Sequence, residues 1–304
     1  MEQAEQTPEI KSEPYFFSPM VAGYLAMTAV LFIWSGFSLT VRAINGSSLT
    51  MADVALIRFA IPVLLLLPML PSRLKKIKRI RLSDLFLVML GGLPFFFFAA
   101  LGAKTAPTAY MGSILAGTPP FFVAILTCCC YRQVISKKQL FTLTLIMSGV
   151  MVMILGQSEE ISADILRGVA FLFCGSFVWA GFTLGIRRAG IDAISITIIL
   201  SISSFFIILA LMASGLMTSN FGSFSLSEAL PFILVQGLGA GFIAIIGYSY
   251  AVHHLGPAKS SVIGSLSPGV TALLAVPVFN EPLSMAILIG ISLTTLGVIL
   301  SNRS

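Results

Sequence analysis

The sequence predicts an all-α integral membrane protein with ten transmembrane helices, arranged as two inverted five-helix repeats. The first observation behind this prediction is composition: 57% of the 304 residues are hydrophobic and only 10% are charged, too few polar side chains to cover a water-facing surface. The second is a repeated pattern. The stretch FIWSGFSLTVRA at 32–43 recurs as FVWAGFTLGIRRA at 177–189, and together they hold both tryptophans of the chain.

A helix needs about 20 apolar residues to cross the core of a bilayer. Apolar runs of this length, separated by short joints with charges or turn residues, predict spans at 20–41, 52–71, 83–103, 107–130, 139–156, 166–186, 192–216, 228–251, 258–279 and 283–301. The spans divide the chain into a tail at 1–19, a first repeat at 20–156 and a second, inverted repeat at 166–301. The tail is polar and acidic, so we expect a cytoplasmic tail rather than a cleaved signal peptide.

Charge distribution predicts the orientation. Most of the 18 lysines and arginines lie in loops on the same side as the N-terminus, and cytoplasmic loops retain positive charge, so both termini are expected in the cytoplasm. Because five spans separate the two tryptophan motifs, the sixth span begins on the side opposite to the first. Inverted halves of this kind are common in secondary transporters. Further matching pairs are Pro107 and Pro257, Pro119 and Pro268, and Gly149 and Gly297.

Enzyme signatures are absent from the sequence. It contains no HExxH, GxSxG, phosphate-binding loop or dinucleotide fingerprint. The four cysteines lack zinc-ligand spacing, and His253 and His254 are adjacent, so they cannot share a helix face as ligands. We therefore expect no catalytic residue, no metal and no cofactor. The expected partners are a small-molecule substrate and the lipid bilayer, without nucleic acid, for a monomer or homodimer.

Aromatic and polar side chains near helix breakers suit a small amphipathic molecule, because each offers a flat apolar face or a hydrogen bond. The predicted substrate-binding residues are Trp34, Ser35, Tyr110, Ser113, Trp179, Gln236, Tyr248, Ser265 and Ser267. The alternative for the tryptophans is packing or anchoring at the membrane interface. The alternative for the hydroxyls is a hydrogen bond to their own helix.

Glycine and proline lie in the middle of several predicted spans. Proline frees a backbone carbonyl of the preceding turn, which lipid cannot satisfy but a water-lined cavity or a polar ligand can. The predicted hinge positions are Gly117, Pro119, Pro120, Gly264 and Pro268. The alternative is tight helix packing with kinks.

Charged residues within the spans are scarce. Arg58 lies about two turns into the second span, where snorkelling to the surface is the expected behaviour and a gate or substrate contact is the alternative. Glu281, before Pro282, is expected to complement the dipole of the tenth helix and is also the candidate coupling residue. With no carboxylate in the middle of any span, we expect passive exchange, facilitated diffusion, or coupling through a group at the rim.

The stretches at 32–43, 57–67 (IRFAIPVLLLL) and 267–300 resemble the EamA branch of the drug/metabolite transporter superfamily, and the resemblance covers about residues 20–301. It implies a bacterial inner-membrane transporter of small metabolites, most commonly amino acids. It also implies a central cavity lined by spans one, three, four, six, eight and nine. The position of Glu281 corresponds in the first half to the region of Gln133, so the acidic residue is missing there.

The predicted function is a secondary transporter that exports an amino acid or similar amphipathic metabolite across the bacterial inner membrane by alternating access. Two alternatives stay open at this point, an integral membrane enzyme acting on lipids and a channel. The enzyme would need a nucleophile or a metal constellation at one face, and the sequence shows neither.

Overall fold

The computed structural model describes residues 18–132, 134–156, 162–255 and 257–301, and these residues form helices and short connections without strands. The predicted tail therefore lies almost wholly outside the described residues. The α-helices are α1 Pro19–Ala43, α2 Met51–Leu66, α3 Leu70–Ile77, α4 Leu82–Leu90, α5 Leu93–Ala103, α6 Thr108–Gly117, α7 Pro119–Tyr131, α8 Lys137–Leu155, α9 Ala163–Ala189, α10 Ala193–Ala213, α11 Leu226–Phe232, α12 Ala244–Leu255, α13 Pro257–Gly264, α14 Ser267–Phe279 and α15 Met285–Ser301.

Eight helical segments of the described chain are long and apolar enough to cross a membrane. They are Pro19–Gly46, Met51–Ile77, Leu82–Ala103, Thr108–Cys129, Lys137–Leu155, Ala163–Ala189, Ala193–Ala213 and Leu226–Ala251. These coincide with the first eight predicted spans. The predicted ninth span is divided into α13 and α14, and the tenth corresponds to α15; α14 and α15 are apolar helices that are each shorter than the other eight segments. An all-helical membrane protein is supported, while the ten-helix, two-repeat arrangement stays a prediction.

Several helices begin at residues whose side chains cap the free N–H groups of the first turn. Thr50 and Asp53 form a capping box at the start of α2, and Ser225 and Glu228 form another at the start of α11. At the other end of a helix, α9 stops at Gly190, whose φ of 60° lies in the left-handed region that glycine adopts without strain. Short-range chemistry thus sets many of the helix boundaries.

Three of the spans are interrupted next to glycine and proline. The third breaks between α4 and α5 at Gly91 and Gly92, and the fourth breaks between α6 and α7 at Thr118, directly before Pro119. The ninth breaks between α13 and α14, with Pro268 in the first turn of α14. Proline fits the first turn of a helix because its missing N–H has no partner there, so each proline favours a new helix after the break.

The eighth span contains a π-helical segment at Ile233–Ile243, between α11 and α12. Two of its glycines face α2 at very short range. A Cβ added to Gly241 would lie 2.8 Å from the carbonyl oxygen of Arg58, and one added to Gly237 would lie 3.2 Å from that of Ile57. Glycine therefore allows the backbone of α2 to lie directly on the π-helical segment, as small residues do between helices in membranes.

Helix packing follows a reciprocal pattern. The first span, α1, packs against α12 of the eighth span and α14 of the ninth. The sixth span, α9, packs against α5 of the third span and against α6 and α7 of the fourth. The same contacts would result if the two predicted halves exchanged places, which is what a two-fold relation between them predicts.

Polar groups gather at the two ends of the helix bundle. At one end, here named the Arg42 face, Arg42 and Asn45 both donate hydrogen bonds to the carbonyl oxygen of Ala103. At the other end, the Asp192 face, Asp192 pairs with Arg73 at 2.9 Å and Arg188 pairs with Asp84 at 2.6 Å. The charge distribution predicts that the Arg42 face is outside the cell and the Asp192 face inside.

Candidate functional site

A buried arginine lies between the second and eighth spans. Arg58 is only 8% exposed, and its Nη1 donates a 2.8 Å hydrogen bond to Oε1 of Gln236. The expectation that Arg58 snorkels to the surface is therefore wrong. The glycines of the π-helical segment bring the two backbones so close that the guanidinium stays between the spans. It lies about 10 Å along α2 from Met51, at the usual rise per residue.

Gln236 is fully buried, and its amide fixes the position of Arg58. Its Nε2 donates to Oγ1 of Thr40 at 2.8 Å and to the carbonyl oxygen of Phe37 at 3.2 Å. With both amide ends bound to the protein, Gln236 has little freedom to turn. The first, second and eighth spans are thus joined by one hydrogen-bonded group.

Aromatic rings surround the guanidinium. The central carbon of Arg58 lies 4.8 Å from the ring centre of Phe37, and 5.8 Å from those of Phe59 and Phe96. Rings attract cations through the negative charge of their faces. No carboxylate in the described part of the chain forms an ion pair with Arg58, and its Nε is buried without a hydrogen-bond partner.

A chain of rings connects this arginine to the second tryptophan. Phe37 stacks on Phe95 at 5.8 Å, and Phe95 contacts Trp179 at 4.7 Å. Trp179 in turn contacts Phe182 at 4.9 Å. Two of the residues predicted from sequence to bind substrate, Gln236 and Trp179, are therefore connected through the aromatic residues next to Arg58.

The first tryptophan belongs to a second group. The Trp34 ring lies 5.4 Å from that of Tyr248, and a Cβ added to Gly264 would lie 3.0 Å from the indole. Close by, Oγ of Ser35 lies 3.4 Å from Oγ of Ser267 and 3.3 Å from the carbonyl oxygen of Ser267. The structure thus brings these predicted residues together where the first span meets the eighth and ninth.

Tyr110 and Ser113 of the fourth span are both fully buried. The Tyr110 hydroxyl donates to the carbonyl oxygen of Met153 in α8. The Ser113 hydroxyl and that of Thr271 in α14 have no hydrogen-bond partner. Ser265 lies at the break of the ninth span, where its carbonyl accepts a hydrogen bond from Thr295.

The predicted hinge residues lie at the helix breaks. Gly117 ends α6, and a Cβ there would overlap Thr294 of α15. The next residue, Thr118, donates to Oγ of Ser176 in α9 at 2.7 Å. Pro119 and Pro120 then open α7. In the ninth span, Gly264 ends α13 and Pro268 lies in the first turn of α14.

Glu281 lies on the Arg42 face and joins three spans. Its carboxylate accepts hydrogen bonds from the backbone N–H and the hydroxyl of Thr108, at 2.8 and 3.0 Å, and it pairs with Nε of Arg42 at 3.3 Å. Thr108 is the first residue of α6, so Glu281 complements the N-terminus of α6 and not of the tenth helix as expected. The reason is the short connection Asn280–Ser284, which brings the carboxylate onto the neighbouring helix.

Asp192 is the corresponding acidic group on the other face. Burial alone raises the pKa of Asp192, but hydrogen bonds from Ser195 and the charges of Arg73 and Lys76 outweigh burial, so its pKa lies below the usual value. The carboxylate also caps α10. This fully partnered acid contrasts with the incompletely partnered Arg58.

Sequence reasoning missed the rings next to Arg58 and their connection to Trp179. Phe37 belongs to the repeated tryptophan motif, where it corresponds to Phe182, and Phe95 and Phe96 lie in the first turn of α5, just after the break at Gly91 and Gly92. The signal that could have identified Phe37 was therefore the presence of phenylalanine at the same position in both copies of the motif. Nothing in the sequence indicated that Gln236 would reach Arg58.

Comparison with known proteins agrees with this architecture. The EamA-like transporter family matches residues 166–303. A Bacillus subtilis (strain 168) protein described as "Uncharacterized transporter YyaM" is 25% identical over 257 residues, which cover 80% of this chain and 81% of that protein. A solved crystal structure matches 93% of this chain and 96% of its own, with a TM-score of 0.60 and 16% identity, which shows a shared fold alone.

The model of the EamA-like transporter family thus matches the second predicted repeat. The EamA-type assignment within the drug/metabolite transporter superfamily, made from the sequence, is confirmed by the family match and by the relative. The family match and the eight apolar helices support a multi-pass membrane transporter.

Proposed function

We propose that the chain is a secondary transporter that exports a small amphipathic metabolite, such as an amino acid, across the bacterial inner membrane by alternating access. The observation that carries this proposal is the reciprocal packing of the first and sixth spans against the other half. Two similar halves that meet around a common centre can rock against each other, and substrate sites of such transporters lie between the repeats. The relative's description as a transporter agrees with this reading.

The two tryptophans support a site between the halves. Each one packs on an aromatic residue of the other half, Trp34 on Tyr248 and Trp179 on Phe95. Flat rings on both sides of the centre offer an apolar wall for the body of an amphipathic substrate. We propose that the helix breaks after Gly117 and Gly264 absorb the movement of the halves.

The polar contacts of the Arg42 face would hold that side closed in one state. Arg42, Thr108 and Glu281 join the first, fourth and tenth spans there. Opening toward this face would require these contacts to separate. Glu281 would then stabilise the closed state. It is also the candidate group for any coupling to protons, which would act at the end of the helix bundle and not at a site in its centre.

Counterflow in proteoliposomes tests the function. Purified protein should exchange a labelled substrate with saturable kinetics, and alanine at Trp34 or Trp179 should lower the initial rate by about tenfold because an aromatic contact with the substrate is lost. Phe32 and Phe177 provide matched controls. They belong to the same motif but are 57% and 46% exposed on the outside of the bundle, so their alanine variants should exchange at the wild-type rate.

Other outcomes would contradict the proposal. Single-channel conductance would indicate a channel, and turnover of a lipid would indicate an enzyme. Equal rates for all four alanine variants would remove the tryptophans from the substrate site. Expression, monodispersity and thermal midpoint are compared for each variant, so that a loss of exchange is not confused with a loss of fold.

A further inference from the structure

We propose that Arg58 binds the carboxylate of the transported molecule, which is therefore a monocarboxylate with an apolar or aromatic body. This inference rests on the transport function proposed above. The observation behind it is that Arg58, among the described residues, is the one cation that is buried between spans and lacks an acidic partner.

The first step of the argument is hydrogen bonding. A guanidinium has five N–H donors in a planar fork, which matches the two oxygens of a carboxylate. In Arg58, Nη1 is bound to Gln236, while Nε is buried without a partner. A buried donor without a partner costs free energy in the folded protein, and more so when it is charged. A carboxylate approaching the Nε side would supply the missing acceptor.

The second step is charge. An arginine within the membrane is costly unless it is paired, and ionisable residues in this position commonly mark a substrate pathway. The rings of Phe37, Phe59 and Phe96 offset part of the cost, but they carry no net charge. One positive charge is balanced by one negative charge, which favours a monocarboxylate over a phosphate dianion.

The third step is preorganisation. Gln236 is held by the first span through Phe37 and Thr40, and it in turn holds Arg58. The guanidinium is thus fixed before any ligand arrives, which lowers the entropic cost of binding. The rings leading from Phe37 through Phe95 to Trp179 then offer an apolar surface beside the charge. This combination fits a molecule with an acid at one end and an apolar or aromatic body at the other.

The experiment compares carboxylates with amides that lack the negative charge of the carboxylate. The thermal midpoint of the full-length chain in detergent is measured with two matched pairs, phenylalanine against phenylalaninamide and phenylacetate against phenylacetamide. Ligands that bind the folded state raise its midpoint. We expect both carboxylates to raise the midpoint of the wild type and the amides to have no effect. In R58Q the carboxylates should bind at least about tenfold more weakly, because a hydrogen bond to a charged group is lost.

Two further variants keep the test decisive. R58K retains the charge but loses the fork, so it should keep a preference for carboxylates at an affinity about tenfold lower; it decides the question if R58Q does not fold. R167Q removes an exposed arginine that also contacts a phenylalanine ring, Phe171. It should behave as the wild type does.

The outcomes separate this inference from the transport function. If neither carboxylate raises the wild-type midpoint, or if R58Q responds to carboxylates as the wild type does, the assignment of Arg58 is wrong. Saturable counterflow of other molecules by R58Q at the wild-type rate would then leave the carrier function standing. A wild-type protein that catalyses no counterflow of any molecule would instead overturn the carrier function.

Discussion

The second span meets the eighth at Arg58 and Gln236, and the seventh meets the third at Ser204 and Leu93. At the second of these junctions, the Leu93 N–H, freed by the break at Gly91 and Gly92, donates to Oγ of Ser204 at 2.9 Å. Both groups are buried and both are satisfied. At the first junction, the same kind of close helix contact buries a positive charge and leaves its Nε without a partner.

The difference separates structural from functional polarity within one bundle. At the Ser204 junction, a neutral hydroxyl accepts a hydrogen bond from one backbone N–H. Both groups then have a partner, and no ligand is needed to satisfy them. The arginine is more costly to bury, and one of its N–H donors lacks a hydrogen-bond partner. Such unfavourable groups are typical of sites that bind a ligand. The Ser204 junction is therefore an internal reference for the Arg58 junction.

The largest expected effect on stability comes from the Gln236→Leu variant. It removes the acceptor of Arg58 and both contacts with the first span. A hydrogen bond to a charged group contributes about 1.5–3 kcal/mol, whereas the neutral bond at Ser204 contributes about 1 kcal/mol. Unfolding in SDS should therefore show a free-energy loss in Gln236→Leu that is about 1.5 to three times that of Ser204→Ala. Equal losses would show that the Arg58 junction is not electrostatically distinct.

A smaller effect is expected from the Gly241→Ala variant. The new methyl group would lie 2.8 Å from the carbonyl oxygen of Arg58 and from Pro62. Overpacking of this kind costs about 1–3 kcal/mol, and it should also weaken carboxylate binding because it displaces α2. The control is Gly46→Ala, where no atom lies within 4 Å of the added carbon. Normal stability in Gly241→Ala would mean that the glycine is not needed for the close approach.

The smallest effect concerns the Asp192 face. Because the pKa of Asp192 is lowered in the folded chain, its stabilising contribution is present above the usual value of about 3.9 and is lost as pH falls below it. Asp192 is one-third exposed, so the contribution should stay below about 1 kcal/mol. The wild type and Asp192→Asn should differ in midpoint at pH 6 and converge toward pH 3. A constant difference over this range would contradict the role given to its charge.

Much of this architecture was predictable from the sequence, because lipid imposes long apolar helices and positive loops on any chain that crosses it. The first eight helical segments were predicted for this reason. The third, fourth and ninth were each predicted as one span, yet each is divided, since periodicity does not reveal which glycine or proline only kinks a helix and which ends it. Pro94, Pro119 and Pro268 all lie at ends, whereas Pro62 lies inside α2.

The candidate site was harder to predict. Arg58, Gln236 and Trp179 were each identified as polar or aromatic residues within spans, but their grouping depends on distances across the bundle. The π-helical segment shifts the register of the eighth span, and no local sequence signal specified which of its side chains would face α2. The prediction that Arg58 snorkels was wrong for the same reason, because snorkelling requires a free path for the side chain to the surface.

The most direct test of the account is counterflow of a labelled aromatic monocarboxylate by the wild type, R58Q and Ser204→Ala in the same proteoliposomes. The account predicts saturable exchange by the wild type and by Ser204→Ala, and an initial rate at least about tenfold lower in R58Q, with all three proteins folded. Exchange by R58Q at the wild-type rate, or an equal loss in Ser204→Ala, would contradict it.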